Sequence, residues 1–232
     1  MNFVKRFFAI FLCFFLFCIP VRAEQDEKLI ALTFDDGPSG RFTRRLLDGL
    51  AERGAKATFL LCGYRMEQYP ELTQRIFEAG HEIGLHGYSH KSMEHMCRRD
   101  VAQEFEKAMA LVPEGCTVSF LRSPGGLCGS CVQSVAADME LSILSWSVDP
   151  RDWATHDAGA VEKEVLSHVR DGDVILLHDM SDSSVEAALV IVDELRKLGF
   201  RFVTASELAE SREIPLIPGQ KYARFAASQE RK

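Results

Sequence analysis

The chain has 232 residues, of which 47% are hydrophobic and 26% charged, which is typical of one globular domain with a sizeable core. Its formal net charge is −7 at pH 7, and this acidic balance argues against nucleic acid and anionic lipid as partners. We therefore expect any polymeric ligand to be held by contacts in a groove rather than by net charge.

Residues 1–23 have the pattern of a secretory signal peptide. Lys5 and Arg6 precede an apolar run over 7–19, and Ala23 supplies a small residue at the predicted cleavage site. The run is too short for a comfortable membrane span, and an uncleaved amino-terminal anchor is the alternative. We expect a secreted or cell-envelope protein that has no membrane partner once the signal peptide is removed.

From Leu29 onward, short runs rich in β-branched and aromatic residues alternate with amphipathic segments of helical periodicity. The seven predicted strands are 29–34, 56–61, 81–84, 119–122, 141–146, 173–177 and 201–203. Strands that alternate with helices indicate a parallel α/β architecture. We assign residues 24–212 to a single catalytic domain and expect an irregular tail over 213–232, which contains two prolines.

Two adjacent carboxylates, Asp35 and Asp36, end the first predicted strand and are followed by Gly37 and Pro38. Neighbouring side chains on a strand point to opposite faces, so the two acids can serve different tasks. Like charges this close repel each other, and a cation offsets that repulsion. One interpretation is a metal ligand beside a carboxylate that faces water, and the other is a solvated Asp-Asp turn.

His86 and His90 follow the third predicted strand and lie four residues apart. On a helix or a one-turn loop this spacing places both imidazoles on one face. With an aspartate from the first strand they form a two-histidine, one-carboxylate set, which is typical of zinc and also suits iron or cobalt. A parallel barrel collects its working groups at the carboxy ends of its strands. The other polar residues at such ends are Arg122, Asp149, Asp152 and His178.

Five short motifs, in order, resemble those of the polysaccharide deacetylase (NodB-homology) family. They are Thr33-Phe34-Asp35-Asp36-Gly37, His86-x-x-x-His90, Arg122-Ser123-Pro124-Gly125-Gly126, Asp149-Pro150-Arg151-Asp152-Trp153 and Leu176-Leu177-His178. The resemblance covers about residues 29–211. It implies a distorted, incomplete (β/α) barrel of about seven parallel strands and the metal-dependent removal of acetyl groups from sugars.

The resemblance also implies a role for each matching residue. Asp36, His86 and His90 would hold a divalent metal ion, with Zn²⁺ the expected metal. Asp35 would be the general base that takes a proton from water, and Arg122 would orient it.

The later motifs supply the remaining roles that the resemblance implies. His178 would be the general acid for the departing amine, and Asp149 would hold it. The backbone N–H of Gly125 would contribute to the oxyanion site, while Trp153 and Leu176 would form the wall around the acetyl methyl group. Gly125 stands where the family usually carries an aromatic residue, which puts the substrate subsite preference in question.

The expected function is that of a secreted, metal-dependent deacetylase acting on acetylated glycan that contains N-acetylglucosamine, either peptidoglycan or chitin-type oligosaccharide. An O-acetyl esterase on a polysaccharide such as acetylxylan is the alternative enzyme. A catalytically silent glycan-binding module is the alternative outside enzymes. A thiol-disulfide protein is a further alternative, and it depends only on Cys128 and Cys131.

Beyond the signal peptide, five cysteines remain, which are Cys62, Cys97, Cys116, Cys128 and Cys131. In an oxidising compartment disulfides are expected, and an odd count leaves at least one thiol unpaired. Cys128 and Cys131 could form a redox pair, half of a zinc site or a small structural bridge. Because no second Cys-x-x-Cys completes a zinc site, we favour the bridge. Trp146, within an apolar run, is expected to lie in the core.

Overall fold

The computed structural model describes residues 27–226. The predicted signal peptide, over residues 1–23, and the last six residues of the predicted tail lie outside the described residues. None of the helices in the described range is long and apolar enough to cross a membrane.

Within this range one curled sheet is formed by eight strands. They are β1 (Lys28–Asp35), β2 (Thr58–Leu61), β3 (Glu82–Leu85), β4 (Phe120–Leu121), β5 (Ser142–Leu144), β6 (Val174–His178), β7 (Phe200–Phe202) and β8 (Lys221–Tyr222). The order is β6-β1-β2-β3-β4-β5-β8, with β7 also paired to β1, and every pairing is parallel. The seven predicted strands are therefore confirmed, and β8 is an addition to them.

Helices connect the strands and cover the outer face of the sheet. They are α1 (Arg41–Glu52), α2 (Gly63–Gln68), α3 (Pro70–Glu78), α4 (Arg98–Met109), α5 (Ser130–Asp138), α6 (Asp152–Thr155), α7 (Ala158–His168), α8 (Asp182–Lys197) and α9 (Ala205–Ser211). Side-chain caps fix several of their starts. Ser181 accepts from Ser184 N at the start of α8, and Thr204 forms a capping box with Glu207 at the start of α9.

The strand β1 separates two apolar clusters. Its residues that pack with the helices are Ile30, Leu32 and Phe34. Leu29 and Ala31 belong to the cluster on the opposite face. Because side chains alternate along a strand, Thr33 and Asp35 continue this second face. The pleat therefore directs Asp35 to the inner side of the curled sheet.

The part of the predicted tail that the structure describes, over 213–226, packs back on the sheet. Tyr222 lies in β8, which pairs with β5, and Phe225 is fully buried in the inner cluster. No ladder joins β5 to β6 in the described range, and one isolated bridge links Val148, which follows β5, to Ile175 in β6. The sheet therefore curls almost onto itself without a complete ladder, which confirms a distorted, incomplete (β/α) barrel in a single domain.

Candidate active site

The carboxy ends of the strands surround a cavity of about 320 Å³. Nine of the ten predicted site residues line it, and they are Asp35, Asp36, His86, His90, Gly125, Asp149, Trp153, Leu176 and His178. The tenth, Arg122, is buried and contacts Asp35 from behind. The arrangement follows from the parallel barrel, in which all strand ends of one polarity share one rim.

Three of these residues converge as metal ligands would. Asp36 Oδ1 lies 3.3 Å from His86 Nε2 and 2.9 Å from His90 Nε2. His86 Nδ1 lies 2.9 Å from the carbonyl oxygen of Arg122. A carbonyl oxygen only accepts hydrogen bonds, so Nδ1 carries the proton and Nε2 turns its lone pair toward Asp36.

The state of Asp36 tests whether these groups fit a cation. Among residues 27–226, its buried Oδ1 has no hydrogen-bond partner of acceptable geometry. Burial alone would raise the pKa of Asp36, but the imidazoles of His86 and His90 hold that pKa well below its ordinary value. A charged, orphaned oxygen between two imidazole nitrogens fits a divalent metal ion, which would satisfy all three ligand atoms.

Two of the three candidate metal ligands have unusual backbone conformations. Asp36 has φ = 73° and His90 has φ = 57°, both in the left-handed region that non-glycine residues rarely adopt. Each such residue costs on the order of 1–3 kcal/mol and persists only where the surroundings enforce it. Gly87, between the two histidines, has φ = 74° and carries no such penalty.

Glu104 on α4 holds the loop between the two histidines. Its carboxylate accepts hydrogen bonds from Tyr88 N at 3.0 Å, from Ser89 N at 2.7 Å and from Ser89 Oγ at 2.9 Å. These contacts occupy the backbone donors of the segment that leads into His90. The sequence provided no motif for Glu104, because its function depends on how α4 packs against the loop.

Arg122 fixes the orientation of Asp35, as the resemblance implies. Its Nη1 donates to Asp35 Oδ1 at 2.5 Å and to Thr33 Oγ1 at 3.0 Å. Its Nε and Nη2 donate to the carbonyl oxygens of Leu144 and Ser145 at 2.8 and 2.9 Å. Each of the three guanidinium nitrogens thus donates a hydrogen bond, and the second oxygen of Asp35, Oδ2, is free of Arg122.

The predicted contact between Asp149 and His178 is wrong, because Asp152 makes that contact. Asp152 Oδ1 lies 2.8 Å from His178 Nδ1, and its Oδ2 accepts from His178 N at 2.9 Å. Asp149 Oδ1 instead accepts from Arg151 N at 2.9 Å. Arg151 adopts φ = 54°, and this turn begins α6 at Asp152. The turn buries Asp152 beside the imidazole and leaves Asp149 exposed.

The contact between Asp152 and His178 raises the pKa of the imidazole. Burial alone would lower the pKa of His178, but the hydrogen bond and charge of Asp152, with the charges of Asp35 and Asp36, raise it to about 9. His178 is therefore charged at neutral pH in the metal-free chain, and its Nδ1–H donates to Asp152. Its Nε2–H remains available on the cavity side.

The walls of the cavity differ in part from expectation. Leu176 is 4% exposed and Trp153 is 54% exposed, and both line the cavity as predicted. Trp146 is half-buried and also lines it, so its placement in the core was only partly correct. Its ring lies 5.4 Å from the Arg122 guanidinium carbon, and a Cβ at Gly126 would come within 2.3 Å of it. Gly126 is thus required by the close approach of this ring.

The predicted bridge between Cys128 and Cys131 is also wrong, since both are free thiols in the described structure. Cys131 lies in the first turn of α5, which begins at Ser130, and Cys128 precedes that helix. Both side chains pack, partly buried, against the apolar cluster beneath the helices. Burial raises the pKa of the Cys128 thiol, which further disfavours the reactive thiolate.

Comparisons with known proteins point in one direction. The family model for polysaccharide deacetylase matches residues 22–144. The chain is 36% identical over 194 residues to a peptidoglycan-N-acetylglucosamine deacetylase of Bacillus cereus, covering 79% of this chain and 89% of that protein. It is 35% identical over 191 residues to a chitooligosaccharide deacetylase of Sinorhizobium fredii, covering 81% of this chain and 85% of that protein.

Solved structures show the same likeness. The fold is similar to that of a family 4 acetyl xylan esterase from Clostridium thermocellum in complex with a cobalt ion. The TM-score is 0.79 at 31% sequence identity, and the match covers 85% of this chain and 98% of that one.

Proposed function

The chain belongs to the polysaccharide deacetylase family, and from this membership we propose that it hydrolyses the N-acetyl groups of glycan that contains N-acetylglucosamine. The substrate would be peptidoglycan or a chitin-type oligosaccharide, in keeping with the names of the two curated relatives. The observation that carries the proposal is one cavity that combines a metal-fitting cluster with a buried carboxylate and a charged imidazole.

In this proposal Asp36, His86 and His90 hold a divalent cation, with Zn²⁺ as the proposed metal. Such an ion, when bound, polarises the acetyl carbonyl and makes water a stronger nucleophile at neutral pH. We further propose a secreted or cell-envelope location, on the pattern of residues 1–23.

Asp35 acts as the general base in the proposed reaction. Its Oδ1 is held by Arg122, so Oδ2 is the oxygen that takes the proton of the attacking water. The buried guanidinium of Arg122 fixes the orientation of this carboxylate. Gly125 is an exposed residue at φ = 69°, and its backbone N–H is proposed to donate to the oxygen that gains charge.

His178 acts as the general acid. Its Nδ1–H is bound to Asp152, so Nε2–H is the proton given to the amine nitrogen as its bond to the acetyl carbon breaks. Leu176 and Trp153 line the cavity and exclude water from the side of the acetyl methyl group. The products are acetate and a free amine on the sugar.

The likeness to the acetyl xylan esterase favours a second candidate function, that of an O-acetyl esterase. The ratio of acetate to primary amine among the products distinguishes the two activities. The purified chain with added zinc is incubated separately with peptidoglycan, chitin oligosaccharides and acetylated xylan, and both acetate and primary amine are measured. Equal amounts of acetate and amine are expected from an N-acetylated glycan. Acetate from xylan alone would establish the esterase, and glycan binding with no acetate would establish a silent binding module.

A further inference from the structure

The carboxyl group of Asp179 is buried directly behind the candidate metal site. Asp179 follows His178 at the end of β6 and is fully buried. Its side chain accepts a hydrogen bond from Thr43 Oγ1, and its backbone carbonyl accepts one from Ser39 Oγ. Ser39 N in turn donates to Thr43 Oγ1 at 2.6 Å. These bonds tie the end of β6 to the segment 37–43, which runs from Asp36 into the first turn of α1.

The same carboxyl group occupies the space beside Gly37. A Cβ at Gly37 would lie 2.6 Å from Asp179 Oδ1 and 2.8 Å from Oδ2, closer than real Cβ contacts allow. The φ of Gly37 does not lie in the left-handed region, so this angle does not itself require glycine. Glycine is therefore needed here because of the carboxyl group of Asp179 and not because of the turn.

The carboxyl group is retained despite an incomplete set of hydrogen bonds. Within residues 27–226, Asp179 Oδ1 is buried and has no hydrogen-bond partner. A buried polar atom without a partner destabilises the fold, and such atoms in a protein call for an explanation. The position of Asp179 against Gly37, the residue next to Asp36, supplies one.

We propose that Asp179 is a positioning residue of the metal site, whose carboxyl group fixes segment 37–43 and thereby places Asp36 against His86 and His90. The inference rests on the proposed function of Asp36 as a metal ligand. Asp36 has a strained left-handed backbone, and the ladder of β1 ends at the residue before it. Contacts beyond the strand must therefore hold the carboxylate in place, and Asp179 provides them.

Zinc affinity of the full chain, measured by competition with a chromophoric chelator, tests this function without reference to turnover. Asp179→Ala should weaken zinc binding by about 10–100-fold, the usual effect of losing a group that orients a ligand. Asp179→Asn keeps the size of the side chain and the acceptor for Thr43, so its affinity should stay close to that of the wild type. If Asp179→Ala does not fold, Thr43→Val removes the same hydrogen bond and should weaken binding by a smaller factor.

Glu82 provides a matched control at the opposite end of the barrel. It accepts hydrogen bonds from Thr58 Oγ1 and from Ser206, but it lies at the start of β3, away from the cavity. Glu82→Gln should change thermal stability and leave zinc affinity unaltered. An equal loss of zinc affinity in Glu82→Gln and Asp179→Ala would overturn the inference, because the effect would then be one of general stability.

A double-mutant cycle tests the contact itself. Gly37→Ala should weaken zinc binding, since the added methyl group displaces the Asp179 carboxyl group, and this loss should be much smaller in the Asp179→Ala background. Additive losses, or wild-type affinity in Asp179→Ala, would overturn the inference alone. Absence of zinc binding by the wild-type chain would overturn the proposed metal site and the inference with it.

Discussion

Asp35 and His178 are register partners on the adjacent parallel strands β1 and β6. Residues paired in this way point to the same face of a sheet. The proposed base and the proposed acid therefore enter the cavity side by side, at positions that the backbone ladder determines. The metal-fitting residues Asp36, His86 and His90 lie beyond the strand ends, where loop contacts must hold them.

Loss of either of two ligands should remove the metal. Asp36→Ala and His90→Ala are each expected to abolish zinc binding, because three protein ligands leave no substitute. Metal content of the purified variants measures this directly. His95→Ala is the control, since His95 follows the same loop and is almost fully exposed, and it should retain its zinc. Near-stoichiometric zinc in Asp36→Ala or His90→Ala would contradict the assigned site.

Removal of the base should separate metal binding from turnover. Asp35→Asn is expected to retain zinc and to lose turnover by about 10²-fold or more, because an amide cannot accept a proton from water. Arg122 can still donate to the amide oxygen, so the fold around the site should survive. Metal content and acetate release on one preparation decide the matter, and activity near that of the wild type would show that another base operates.

The pairing of His178 with Asp152 predicts a specific pH dependence. The pKa of His178 is raised to about 9 from its ordinary 6.5. The stabilisation from this pair in the metal-free chain is therefore complete below about pH 6.5 and lost as the pH rises through about 9. A bound cation would lower this pKa by repulsion. A proton-donating His178 requires activity to fall on the basic side of the profile.

Two variants of the fourth motif test that pairing. Asp152→Asn should lower the pKa of His178, measured by NMR titration of the metal-free chain, and should move the basic limb of kcat/KM to lower pH. Asp149→Asn is the matched control, because Asp149 accepts a hydrogen bond from Arg151 N and makes none to His178. A larger shift in Asp149→Asn than in Asp152→Asn would reverse the assignment.

Much of the site could be predicted because it follows directly from strand ends. Asp35 and Asp36 come straight after a run of apolar residues, and His86 follows another such run. In a parallel barrel, these runs alone place the side chains at one rim. The strands were recognisable for the same reason, since nearly all of their residues are buried.

The errors arose where a single dihedral angle or a distant packing contact decides the outcome. Asp149 and Asp152 belong to the same loop, and the φ of 54° at Arg151 determines which of them reaches His178. A non-glycine residue rarely adopts this conformation, so nothing in the sequence indicated it. Trp146 follows an apolar strand, which predicts a buried ring. The ring lies at the cavity because Gly126, which it contacts from another loop, has no side chain in that space.

The sequence did not indicate the contacts that Glu104 makes with the loop before His90, and these contacts can be tested directly. The Glu104 carboxylate holds Tyr88 N and Ser89 N, and His90 follows with a left-handed backbone. Glu104→Ala should therefore release the loop and weaken zinc affinity by roughly tenfold or more, as for other groups that orient a ligand. Hydrogen exchange of the two amides should accelerate at the same time. Glu106→Ala, an exposed position on the same helix, is the control and should change neither quantity. Unchanged zinc affinity in Glu104→Ala, together with accelerated exchange, would show that the loop is held for stability and that His90 reaches the metal without it.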